Sequence, residues 1–124
     1  MKDKEFSLRK RLVSFKYAFR GVRLLLRYEH NARIHLAIGA CTVIAGFFFR
    51  ISGMEWMVVM LASGAVFAAE AFNSAIEKLA DVVSPERSEA IRHVKDLASG
   101  AVLFTAIAAA LAGLMIFLPR LFVL

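Results

Sequence analysis

Glu70, Asn73, Glu77 and Asp81 follow one another at intervals of three, four and four residues. On an α-helix those intervals place all four on one face. They sit in the stretch Glu70-Ala71-Phe72-Asn73-Ser74-Ala75-Ile76-Glu77-Lys78-Leu79-Ala80-Asp81, directly after the uncharged run 56–69. Carboxylates emerging from an apolar segment are costly, and they mark functional positions by default. Glu70 lies deepest, where desolvation strengthens a carboxylate as the acceptor of an alcohol proton. Its plainer role is an interfacial carboxylate paired with a lysine such as Lys95. Glu77 stands nearer water, and Asn73 between them can orient either.

Two further clusters bracket this stripe. Glu29-His30-Asn31-Ala32-Arg33-Ile34-His35 precedes the first apolar run, and Lys95-Asp96 precedes the last. Glu29 and Glu77 could share a divalent ion, because Mg²⁺ takes one or two carboxylates and fills its shell with water and phosphate oxygens. His30 and His35 are five apart, a poor single-face pair, and read as interfacial polar residues rather than zinc ligands. Lys95 offers a positive charge suited to phosphate. Asp96 has the plainer role of capping a helix that starts near Leu97. Metal, positive charge and positioning are what phosphoryl transfer requires, although no P-loop or soluble-kinase signature is present.

These clusters meet only if the chain crosses a membrane. Of its 124 residues 60% are hydrophobic and 21% charged, with mean hydropathy +0.65, which favours one membrane-embedded domain over 1–124. Residues 1–8 form a frayed start. From 9 to 28, Leu12, Phe15, Phe19, Val22 and Leu26 recur at helical spacing beside Lys16, Arg20, Arg23 and Arg27. That is the pattern of an amphipathic helix lying in the membrane interface. Spans are expected at about 33–51, 55–76 and 97–118, with Trp56 at an interface and Pro85 and Pro119 outside the apolar runs. The expected class is therefore all-α: a surface helix followed by three transmembrane helices.

Charge orients these spans. Ten of the sixteen Lys and Arg lie in the first 33 residues; Lys78, Arg87, Arg92 and Lys95 fall between the second and third runs. By the positive-inside rule the amino terminus and the 82–95 loop face the cytoplasm, and the 50–55 turn and the carboxyl terminus face out. The net charge of +6 then reflects topology and anionic lipid rather than nucleic acid, for which no motif is present. No cleavable leader is expected, since the first 35 residues are strewn with charge. Cys41 is alone in an apolar run and reads as a small hydrophobe. Small residues crowd the second and third runs, as close helix packing in lipid requires, and buried carboxylates in so thin a bundle point to an oligomer. Composition and spacing leave two classes open: a metal-dependent membrane enzyme, and a small non-catalytic carrier with Glu70 as its proton relay.

The 70–81 stretch closely resembles the signature of the small prokaryotic diacylglycerol kinases, a family that includes undecaprenol kinases. The likeness runs from Phe15 to Leu118. It takes in Phe15-Lys16-Tyr17-Ala18-Phe19-Arg20-Gly21, Glu29, Lys95-Asp96 and Ser99-Gly100-Ala101-Val102-Leu103. This resemblance implies a homotrimer in the bacterial inner membrane, with active sites between subunits at the cytoplasmic surface. ATP with Mg²⁺ would phosphorylate a lipid hydroxyl, of undecaprenol or of diacylglycerol. Glu70 would be the catalytic base, and Glu29 and Glu77 would hold the metal. Tyr17, Glu29, Glu77, Glu86, Lys95 and Asp96 would contact ATP. Asn73 and Asp81 would support the site, and Ser99 would lie near the lipid. Phe72 and Ala80 stand where aliphatic residues are usual, and Lys10 stands where some members use an arginine. The segments Asn31-Ala32-Arg33-Ile34-His35, Met54-Glu55-Trp56 and Val83-Ser84-Pro85-Glu86 look more like the undecaprenol-kinase branch.

Overall fold

The structure is a computed structural model, and it describes residues 7–123. Four helices follow in chain order: α1 (Leu8–Tyr28), α2 (His30–Phe49), α3 (Gly53–Val83) and α4 (Glu89–Leu121). Of the 1–8 start, only Ser7 and Leu8 lie within the described residues. Ser7 caps α1 by accepting from the backbone N–H of Lys10, so the helix is ordered from Leu8. Lys2 and Lys4 of the basic cluster lie outside the described residues. Only Leu25 of α1 is buried and Leu26 half-buried, and its other apolar residues and its basic residues are exposed.

Glu29 alone separates α1 from α2. Its backbone is extended (φ −107°, ψ 114°), yet its N–H bonds back to Leu25 O and its carbonyl accepts from Arg33 N. One residue thus ends one helix and starts the next. α2, α3 and α4 are each long and apolar enough to cross a membrane. At ~1.5 Å per residue, the 20 residues of α2 match a ~30 Å hydrocarbon core. The 31 residues of α3 and 33 of α4 exceed it by several turns. α3 and α4 form the main antiparallel pair; α2 packs on α3, and α1 lies across both. The surplus length of α3 and α4 therefore projects together at the end joined by residues 84–88. That end carries Glu77, Asp81, Lys95 and Asp96.

Two boundaries differ from the sequence reading. α4 starts at Glu89, with Ser88 as its cap donating no proton but accepting from Ile91 N at 3.2 Å. Asp96 is consequently two turns inside the helix and is not its cap. The apolar run marks where lipid begins, whereas the hydrogen-bonded helix starts earlier in water. Pro119 likewise lies inside α4 rather than beyond it. Proline is costly in a helix interior, and α4 ends two residues later, at Leu121, while the guanidinium of Arg120 donates to Ile116 O at 2.6 Å.

The turn after α2 is tightly built. Arg50 adopts the left-handed conformation (φ 53°, ψ 55°), and Ile51 N returns to Gly46 O. A Cβ at Gly46 would stand 2.5 Å from Trp56 Cη2, so only glycine permits this approach. Ser52 and Glu55 form a capping box that starts α3. Ile51, Val59 and Ile116 make a small buried cluster, flanked by Phe49, Trp56 and Phe117. The two oxygens of Glu55 accept from Arg120 of α4 at 2.6 and 2.8 Å, a bidentate clamp.

Candidate active site along α3

The buried positions of α3 include Val59, Val66, Glu70 and Ser74, at intervals of seven, four and four. Glu70 therefore continues an apolar stripe, and it is only 2% exposed. Beyond it, exposure rises along the polar stripe: Asn73 and Glu77 are half-buried and Asp81 is exposed. The helix thus carries one line of polar groups from the packed interior out to water, as the three-four-four spacing predicts.

Glu70 does not pair with Lys95. Its Oε1 lies 2.8 Å from His35 Nδ1, on α2. Lys95 instead holds Asp81 at 2.6 Å and ties the projecting ends of α3 and α4 together. The plainer reading of Glu70, as the partner of an interfacial lysine, is corrected accordingly. His35 is also more than an interfacial polar residue, since it meets the deepest carboxylate. The signal for it was available in the sequence: an ionisable side chain inside an apolar span is rarely idle.

Among the described residues, three buried side-chain polar atoms lack an aligned hydrogen-bond partner: His35 Nδ1, Glu70 Oε1 and Asn73 Oδ1. The close His35–Glu70 approach is off the line of a good hydrogen bond. Native proteins leave few such atoms unmet, and those they leave call for a functional explanation.

The carboxylates divide in the same way. Glu55, Glu70, Asp81 and Glu89 each face a cationic or histidine partner. Glu29, Glu77, Glu86 and Asp96 have no ion-pair partner among the described residues. The structure groups no three metal-ligating side chains among those residues. Glu29 at the helix corner and Glu77 on α3 are each half-buried, and carboxylates in ones and twos are what Mg²⁺ accepts from proteins.

The remaining candidates stay on the surface of the single chain. Tyr17 is exposed and stacks under the Arg20 guanidinium, 5.6 Å from its ring centroid. Glu86, in the 84–88 link, offers its backbone carbonyl to Ser84 Oγ. Asp96 and Ser99 are exposed on α4. Lys10 engages through its backbone, its N–H donating to Ser7 Oγ and its carbonyl accepting from Ser14 Oγ. One chain therefore gathers Glu70 with His35 and Asp81 with Lys95, and leaves Tyr17, Glu86, Asp96 and Ser99 facing outward.

Besides a cleft of about 510 Å³ lined by Asp81, Glu86 and Lys95 at the exposed end of the stripe, two cavities lie along the helices. One of about 330 Å³ runs between α2, α3 and α4, from His35 past Gly39, Ala62 and Ala109 to Ile116. The other, of about 610 Å³, lies between α1 and α3, apolar except where Glu29, Ser74 and Lys78 line it.

The site thus sets a buried carboxylate on a helix long and apolar enough to cross a membrane, with carboxylates that have no ion-pair partner among the described residues towards its exposed end. The family model for prokaryotic diacylglycerol kinase matches residues 16–117, and the chain belongs to that family. It is 36% identical over 120 residues to an undecaprenol kinase of Bacillus subtilis, covering 97% of this chain and 98% of that one. It is also 36% identical over 111 residues to a diacylglycerol kinase of Synechocystis, covering 89% of this chain and 63% of that one. A diacylglycerol kinase of Sinorhizobium is 31% identical over 101 residues, with coverage of 82% and 73%. The protein is thus a membrane protein of a lipid-kinase family, and the non-catalytic carrier finds no support.

Proposed function

We propose that the chain transfers the γ-phosphate of ATP to the hydroxyl of a membrane lipid, with undecaprenol as the favoured acceptor and diacylglycerol as its competitor. Glu70 takes the hydroxyl proton. The freed oxygen attacks the γ-phosphorus, the bond to the bridging oxygen of ADP breaks, and ADP leaves with that electron pair. Glu29 and Glu77 hold Mg²⁺, which when bound neutralises charge on the phosphate oxygens. Lys95 and Asp96, with Tyr17 and Glu86, hold the nucleotide. Asn73 and Asp81 keep the stripe in register, Asp81 by fixing Lys95, and Ser99 borders the lipid.

The observation that carries this reading is the unmet cluster around Glu70, placed within a helix turn or two of free carboxylates. The Glu70 carboxylate accepts a lipid hydroxyl; the carboxylates without ion-pair partners accept a metal and its phosphates. The near full-length match to an undecaprenol kinase supports the polyprenol. Active sites are completed between copies in a homotrimer, which accounts for Tyr17, Glu86, Asp96 and Ser99 facing outward. α1 lies on the cytoplasmic surface of the bacterial inner membrane, where its basic residues meet anionic head groups.

Purified protein with labelled ATP and Mg²⁺, offered undecaprenol and diacylglycerol side by side, tests this. Faster phosphorylation of undecaprenol is expected. Label in neither lipid would overturn the reading.

A further inference from the structure

Glu70 is a buried carboxylate that must be aimed to act, and no residue of its own helix forms an ion pair with it. The nearest polar group comes from α2. That helix presents Ala32, His35, Gly39, Thr42 and Gly46 at intervals of three, four, three and four, which is one face. Ala32 has no exposed surface and Gly46 is buried, so this face is the one pressed into the molecule. Every residue on it is small except His35. Close helix packing explains the small residues and does not explain an imidazole, whose Nδ1 stands 2.8 Å from Glu70 Oε1.

We infer that His35 is a positioning residue for the catalytic base, donating its Nδ1–H to Glu70 Oε1 and leaving Oε2 to meet the lipid hydroxyl. This rests on the reading of Glu70 as the base. An ionised carboxylate only accepts, so a neutral imidazole facing it carries its proton on Nδ1. Neither atom has another aligned partner among the described residues. The present misalignment is the kind that closes when substrate binds. His35 also lines the cleft of about 330 Å³ that runs along the spans. A hydroxyl whose tail lies in the bilayer therefore approaches the pair from the apolar side. The His35 proton stays on Nδ1 throughout. The alcohol proton passes to Glu70, and His35 fixes which carboxylate oxygen receives it.

The geometry sets a specific test. An asparagine side chain places its amide nitrogen where histidine has Nδ1, whereas glutamine reaches one carbon further, towards Nε2. Wild type, H35N, H35Q, H35L and E70Q are compared in lipid nanodiscs with undecaprenol and ATP-Mg²⁺. H35L is expected to lower kcat about 100-fold, in the range for a disturbed general base, with KM for ATP and direct nucleotide binding unchanged. H35N recovers most of the lost kcat and H35Q does not. In ¹⁵N spectra of the wild type, His35 carries a proton on Nδ1. Wild-type kcat in H35L, equal rescue by glutamine and asparagine, or a bare Nδ1 would each overturn the assignment while E70Q remains inactive. An active E70Q would instead remove Glu70 as the base, and the role of His35 with it. Intact nucleotide binding in H35L shows that the variant is folded. Should H35L lose that binding, the kcat ratio of H35N to H35Q decides.

Discussion

The two ends of the α3–α4 pair are built to opposite rules. At the end that the charge pattern assigns to the outer side, the charged and capping groups of the turn are paired within the chain. Ser52 and Glu55 cap α3, Glu55 grips Arg120 with both oxygens, and Trp56 fills the space that Gly46 leaves. At the inner end Glu29, Glu77, Glu86 and Asp96 lack ion-pair partners among the described residues, and the atoms around Glu70 lack aligned ones. The same helices could have paired these charges, as they do at Asp81 and Lys95. The difference teaches where the molecule spends stability and where it withholds it: satisfied groups hold, and unsatisfied groups wait for a ligand.

Changes at the inner end should therefore cost activity and changes at the outer end should cost stability. After Glu70 itself, the largest effect is expected from Glu77→Gln, which removes one of the two proposed metal-holding carboxylates. Phosphorylation should fall on the order of 100-fold, and the Mg²⁺ concentration for half-maximal rate should rise, with no loss in thermal midpoint. A rate unchanged at limiting Mg²⁺ would take Glu77 out of the metal site. Next, Gly46→Ala should destabilise by ~1–3 kcal/mol, because its methyl collides with Trp56 and the packed turn must shift. Denaturation in mild detergent measures this, and the rate per folded molecule should hold. Ser52→Ala removes a helix cap and should cost ~1 kcal/mol by the same measurement. The smallest effect has the opposite sign. Arg50→Gly relieves a left-handed backbone and should stabilise by roughly 1 kcal/mol. If any of these three outer changes lowers kcat as strongly as Glu77→Gln, the two ends are not separate.

Much of this arrangement was legible in the residues. Hydropathy located the three helices long and apolar enough to cross a membrane, and the three-four-four spacing of the 70–81 stripe matched its graded exposure. The basic amphipathic pattern placed α1 within a residue of its start. Helix ends were less legible where lipid and hydrogen bonding part company. Apolarity begins near Leu97, but Ser88 caps the helix in water and starts α4 at Glu89. Pro119 read as a stop, yet α4 runs on to Leu121. Tertiary pairings were the least legible. The Glu70–His35 and Glu55–Arg120 partners are 35 and 65 residues apart, and no local period links them. The second pair still left a trace, since Arg50, Glu55 and Arg120 are the charges assigned to the outer side.

The contrast between the ends is tested most directly by Glu70→Gln measured beside Arg120→Met, with lipid phosphorylation per folded molecule and thermal midpoint recorded for both. The glutamine keeps the shape of the buried side chain and removes its charge, so phosphorylation should fall by at least ~100-fold while the midpoint holds or rises. Arg120→Met should lower the midpoint and leave the rate per folded molecule unchanged. Glu70→Gln with wild-type phosphorylation would contradict the account.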